Sequence, residues 1–177
     1  MSQLAVPVHA QDHMLGKPDA SVVLVEYADY QCPYCGDAYP VVKQVAEAFG
    51  DQVCVVFRNY PLVNAHPEAL HAAIVAEFAA ENGKFWEAHD ALFEHQRQLG
   101  VPVFAKIVAD LGLSLQGLEK ALQTRRAEER IRNDIDSGDR SGVNGTPAFF
   151  INDKKFEPRG GFDDVFAAVQ AQLRHAN

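Results

Sequence analysis

The sequence predicts an α/β fold in which a βαβ unit and a ββα unit are separated by a helical insertion. Three observations predict it. Two short, β-branched apolar runs at 22–27 and 53–57 flank a helix-period segment, apolar positions recur at helical spacing through 66–140, and strand character returns at 148–151 ahead of a closing amphipathic helix. With 177 residues, 47% of them apolar, the chain suits one domain carrying a large insertion and a real core.

The first run, Val22-Val23-Leu24-Val25-Glu26-Tyr27, follows the turn-forming Gly16-Lys17-Pro18-Asp19 and reads as a buried strand. From Cys35 onward, Ala38, Tyr39, Val42, Val45, Ala46 and Phe49 recur at three- and four-residue steps, and Gly50 supplies a stop. Val53 to Phe57 is a second strand, ended by Arg58-Asn59-Tyr60-Pro61. Strand, helix, strand in this order implies a parallel pair.

Helices follow. The first has Pro67 at an opening position, Leu70, Ile74 and Phe78 on its core face and Gly83 as its end; the second buries Phe85, Trp86, His89, Leu92 and Phe93. A third spans 102–111 before Gly112, a fourth is capped by Ser114 and carries Leu115, Leu118 and Leu122, and a polar fifth carries Ile131 and Ile135. Ala148 to Ile151 turns through Asn152-Asp153-Lys154 into a short hairpin partner. The last helix covers 163–173 with Phe162, Val165, Phe166, Val169 and Leu173 on one face.

A formal net charge of −8 argues against nucleic acid, which needs Lys and Arg clustered on one face. The arginines at 125, 126, 130 and 132 are interleaved with Glu128, Glu129 and Asp134 and read as a solvated, mixed-sign helix face. No stretch approaches a membrane span. Residues 1–8 lack a basic n-region and an apolar h-region, so the chain as written reads as cytoplasmic, and as periplasmic only had a leader been removed.

The chemistry concentrates at Cys32-Pro33-Tyr34-Cys35, between the first strand and the first helix. Two half-cystines need Cα atoms roughly 4.4–6.8 Å apart, a separation that i and i+3 on a first helical turn can meet. Unpaired N–H groups of that turn favour a thiolate at Cys32, at the exposed end, and Cys35 lies one turn further in, placed to resolve what Cys32 attacks. A zinc site would need a second ligand pair, and Cys54 stands alone. An iron–sulfur cluster shared between two chains stays open on the thiolates alone. A purely structural disulfide closing so short a loop would remove little chain entropy.

Glu26 is an acid inside an apolar strand, six residues before Cys32, and burial there would raise its pKa; a solvated Glu is the alternative. Arg58, on the neighbouring strand, is expected to neutralise it. Cys54 reads as a buried strand residue and His89 as a hydrogen-bonded core histidine.

Together with Gly145-Thr146-Pro147 ahead of the third strand, this layout resembles the thioredoxin fold. The helical insertion and the runs at 25–36, 83–90 and 142–147 resemble the DsbA-like thiol–disulfide oxidoreductases, a type also found fused to some NhaA antiporters. The resemblance implies a discontinuous thioredoxin-like domain at 14–65 and 141–175 and an inserted helical subdomain at 66–140. It implies a cis Pro147 against the cysteine pair, a Thr146 backbone that pairs with an extended substrate segment, and proton transfer to the buried cysteine by Glu26. Tyr34 departs from DsbA, which has histidine there, and Pro33-Tyr34 is similar to the glutaredoxin dipeptide, which leaves Cys32 without a cationic neighbour.

The expected chemistry is exchange between Cys32-Cys35 and protein or peptide thiols and disulfides. It needs no bound cofactor and no metal, and an unidentified redox partner recycles the pair. Two rivals remain: a glutathione-using transferase or isomerase of the kappa type, which needs no resolving thiol and so leaves Cys35 unexplained, and a redox-sensing interaction domain.

Overall fold

The computed structural model describes residues 2–176. Within them five strands, β1 (His13–Leu15), β2 (Val22–Ala28), β3 (Val53–Asn59), β4 (Ala148–Ile151) and β5 (Lys154–Phe156), form one sheet in the order β1-β3-β2-β4-β5. β2 and β3 are parallel, as a strand–helix–strand order requires, and the other neighbours are antiparallel. The chain therefore has the thioredoxin-like fold, with helices inserted between its two halves. β1 was not foreseen: three residues without alternation carry no strand signal, and the pairing of Met14 with Val56 exists only once β3 is in place.

Helix α1 (Pro33–Phe49) and α7 (Asp163–Ala176) cover one face of the sheet. There Val22, Leu24, Val53, Val55, Phe149 and Ile151 pack against Ala38, Val42, Val45, Val165, Val169 and Leu173. Strand alternation sends Val25, Tyr27, Val56 and Phe150 to the other face, where Leu4, Tyr60 and Val143 close over them. The β4–β5 turn is formed by Asn152 and Asp153, both with positive φ, and the Asn152 side chain accepts the Val23 N–H at 2.9 Å.

Between β3 and β4 run α2 (Ala69–Glu81), α3 (Phe85–Glu94), α4 (Val101–Asp110), α5 (Leu115–Gln123) and α6 (Arg125–Arg140). α2 is buried nearly all round, not on the single face expected, because its alanines let α3, α4, α5 and α6 approach together. It begins after Pro67, not at it. Ser114 caps α5 by accepting the Gly117 N–H at 3.1 Å, as expected. Leu118 is buried, but Leu115 and Leu122 are exposed, since nothing packs over the rest of this peripheral helix. Asn59 fastens the insertion to the sheet: its N–H donates to Asp134 (2.9 Å) and its amide to Glu77 (2.7 Å). Among the described residues no helix is long and apolar enough to cross a membrane.

Candidate active site

The site forms where β2 hands over to α1. Cys32 is the N-cap residue of α1, with extended backbone, and Pro33 occupies the first turn, where its missing N–H costs nothing. The helix opens with the Gly36 N–H donating to the Cys32 carbonyl at 3.1 Å. Both cysteines are free thiols. The Thr146–Pro147 bond is cis and its loop faces the pair, with Cys32 Sγ 3.4 Å from the Thr146 carbonyl oxygen. The cis bond that the family resemblance implies is present at Pro147.

Cys32 is only 3% exposed, less open than a first-turn position suggests, because the 146–147 loop lies over it. Cys35 is wholly buried. Their acidities diverge. A hydrogen bond from the Cys35 thiol is the largest influence holding Cys32 down to about 5, with the Thr146 hydroxyl and the backbone N–H groups of Cys35 and Tyr34 adding to it against the cost of burial. Burial pushes the Cys35 thiol well above the ordinary range, and its contact with Cys32 and the nearby Glu26 carboxylate push it the same way. Tyr34 is 67% exposed.

Glu26 lies inside the fold at 2% exposure, its Oε1 without a hydrogen-bond partner. Burial raises its pKa to about 8. The expected pairing with Arg58 does not occur. Glu26 is in register with Phe57, whereas Arg58 is opposite Tyr27, so the guanidinium leaves the other face of the sheet. There it clasps Asp12 through both carboxylate oxygens, each at 2.9 Å, and donates to the Tyr27 hydroxyl at 2.8 Å. The arginine-rich helix also departs from a purely solvated face: Arg130 pairs with the buried Asp134. His89 is the buried core histidine expected. Its Nδ1 meets the Tyr30 hydroxyl at 3.1 Å, and burial lowers its pKa to about 3. Cys54 is buried in β3, away from the pair.

Gln96, Asp29 and its partner His66 gave no sign in the sequence. Gln96, in a short turn after α3, reaches back to donate to the carbonyls of Tyr30 (2.9 Å) and Cys32 (2.8 Å). Asp29, at the end of β2, is buried and accepts from Gln31, Leu62 and His66. The separations are 64 to 66 residues for Gln96 and 37 between Asp29 and His66, so only the folded chain brings them together.

A dithiol at the start of the first helix of this sheet, beside a cis-proline loop, defines a thioredoxin-like protein. A family model described as thioredoxin matches residues 9–171, and the chain belongs to that family. Among solved structures it is similar to a thioredoxin-like oxidoreductase from Silicibacter pomeroyi, at 25% identity and TM-score 0.77 over 94% of each chain. It shares its fold with alpha-DsbA1 from Wolbachia pipientis, at 20% identity and TM-score 0.80 over 98% of this chain and 96% of that one. It is also 40% identical over 174 residues to the Na(+)/H(+) antiporter NhaA 3 of Salinispora tropica, covering 98% of this chain and 26% of that protein. The chain thus spans about a quarter of the length of the curated relatives it matches.

Proposed function

We propose that the protein is a thiol–disulfide oxidoreductase that acts on protein or peptide disulfides through Cys32 and Cys35. The observation that carries this reading is the split in acidity within one turn: Cys32 ionised at neutral pH beside the Thr146–Pro147 loop, Cys35 protonated beneath it. In the reducing direction the Cys32 thiolate attacks one sulfur of the substrate disulfide, forms a mixed disulfide and expels the other sulfur as a thiolate. Cys35 then loses its proton and attacks Cys32 Sγ. The bond to substrate breaks, the substrate sulfur leaves reduced, and Cys32–Cys35 is oxidised.

Glu26, buried with a pKa of about 8, is the group suited to take and return the Cys35 proton. The Thr146 backbone is the edge along which an extended substrate segment would pair. Pro33 and Tyr34 tune the pair, and a dithiol or disulfide partner recycles it. On this reading 14–65 with 141–175 is the redox domain and 66–140 an inserted helical subdomain. The retained Cys35 favours this over a kappa-type glutathione transferase, which uses one active-site Ser or Cys.

The test is trapping. Mixed with a disulfide-bonded peptide, Cys35→Ser should accumulate a covalent adduct on Cys32, Cys32→Ser should form none, and the wild type should release two thiols per disulfide. An adduct on Cys35, or no thiol release by the wild type, would refute the assignment.

A further inference from the structure

Asp29 brackets both cysteines with its own peptide groups. Its carbonyl accepts the Cys32 N–H at 3.1 Å, and its N–H points at Cys35 Sγ at 3.5 Å. This placement depends on the carboxylate, whose side chain has no exposure. A buried carboxylate is tolerated only when its oxygens are hydrogen-bonded, and here they are. Oδ1 accepts the Gln31 N–H at 2.7 Å, and Oδ2 accepts the Leu62 N–H at 2.8 Å and His66 Nδ1 at 2.7 Å. To donate, Nδ1 must carry the imidazole proton. A second tie joins the same two segments, the Gln31 side-chain oxygen accepting the Glu68 N–H at 2.7 Å. The loop after β3 and the segment before the cysteines are thus laced together with Asp29 as the knot, and His66 is its partly exposed side-chain partner.

The lacing bears on one sulfur in particular. An N–H aimed at sulfur favours a thiolate, and around Cys35 burial, Cys32 and Glu26 all oppose one, which leaves the Asp29 N–H as the contact working the other way. Building on the oxidoreductase reading, we propose that Asp29, held by His66, is a positioning residue for the resolving thiol. The Asp29–His66 pair keeps the N–H directed at Cys35 Sγ while Cys35 attacks the mixed disulfide on Cys32. In that step Cys35 gives up its proton, the Cys32–Cys35 bond forms, the bond from Cys32 to substrate breaks, and the departing sulfur ends as a thiol. Asp29 and His66 exchange no electrons and touch no substrate. They set how readily Cys35 ionises and where its lone pair points.

The experiment follows both steps in the full chain: reduced protein is mixed with glutathione disulfide, quenched with acid at intervals, and the mixed disulfide and the internal disulfide are counted by mass. His66→Ala should slow resolution about fivefold, the factor that about 1 kcal/mol makes in a rate, and leave the attack by Cys32 unchanged. His66→Asn, which keeps an N–H donor near the Nδ1 position, should recover most of the loss. An unchanged resolution rate in His66→Ala would overturn the proposal, as would equal slowing of both steps or failure of His66→Asn to recover. A wild type that forms a mixed disulfide and resolves it upholds the underlying oxidoreductase reading whatever the variants do, whereas a wild type that forms none overturns both.

Discussion

A Cβ on residue 36 would stand 2.2 Å from Gln96 Oε1, so Gly36 leaves the space that the Gln96 side chain fills. From there the Gln96 amide holds the carbonyls of Tyr30 and Cys32, which ties the helical insertion to the turn that carries the thiols.

Gly36→Ala should therefore act with opposite sign in two backgrounds. In the wild type it displaces the flexible end of Gln96 and loses two hydrogen bonds at roughly 1 kcal/mol each, against a helix-propensity gain of up to about 1 kcal/mol, for a net destabilisation near 1 kcal/mol. In Gln96→Ala only the propensity gain remains, and the same substitution should stabilise. Urea unfolding of the four proteins measures the cycle; equal effects in both backgrounds would mean the two residues do not communicate.

The thiolate at Cys32 should appear as an absorbance step at 240 nm with its midpoint at about pH 5, and that step should be absent in Cys32→Ser because Cys35 and Cys54 are both shifted upward. Alkylation at neutral pH should label Cys32 first. Thr146→Val should move the midpoint upward, since the hydroxyl favours the anion, and for the same reason should lower stability at neutral pH. A midpoint near the ordinary thiol range would contradict the geometry described for Cys32.

What was legible in the sequence was local. The apolar runs of β2 and β3, the Ser114 cap, the Asn152-Asp153 turn and the two-residue spacing of the cysteines each act within a few residues of themselves. What was illegible depends on long-range placement. Asp29 reads as a loop residue until Leu62 and His66 arrive to bond it, and Arg58 looks available to Glu26 until the register sends the two to opposite faces. Leu115 and Leu122 satisfy a helical period, yet periodicity names a face without supplying a neighbour to cover it.

Arg58 and Asp12 form a buried bidentate pair remote from the thiols, and Asp12→Ala would leave an uncompensated guanidinium inside the protein. It should cost about 3–5 kcal/mol in chemical denaturation, whereas Asp12→Leu combined with Arg58→Met should recover much of that loss. Neither should move the Cys32 midpoint. A shift there would revive an electrostatic link between Arg58 and the site.

Glu26 gives stability a pH dependence of definite sign. It keeps its proton in the folded protein up to about pH 8 but releases it near 4.5 when unfolded, so its stabilising effect is complete below pH 4.5 and is lost as pH rises through 8. At about 1.36 kcal/mol per pH unit the loss could reach roughly 5 kcal/mol. Glu26→Gln should abolish that slope, matching the wild type near pH 4 and exceeding it by several kcal/mol at pH 8 to 9. Urea midpoints across this range decide it, and parallel curves for the two proteins would place the Glu26 carboxyl in contact with solvent.

Tyr34 bears on the direction of exchange. A nucleophilic cysteine with its pKa held at about 5 falls between thioredoxin at about 7 and DsbA at about 3.5. Since a stabilised thiolate favours the reduced pair, the potential should fall between about −270 and −120 mV, more reducing than DsbA. The exposed Tyr34 ring supplies no charge to the thiolate. Tyr34→His would add a cation when protonated, and each unit by which it lowers the Cys32 pKa should raise the potential by about 30 mV, because one unit and 30 mV in a two-electron couple are both about 1.4 kcal/mol. Equilibration of both proteins with glutathione measures this. A wild-type potential at the DsbA value, or a histidine variant whose pKa falls while its potential stays put, would break the proposed link between thiolate stability and oxidising power.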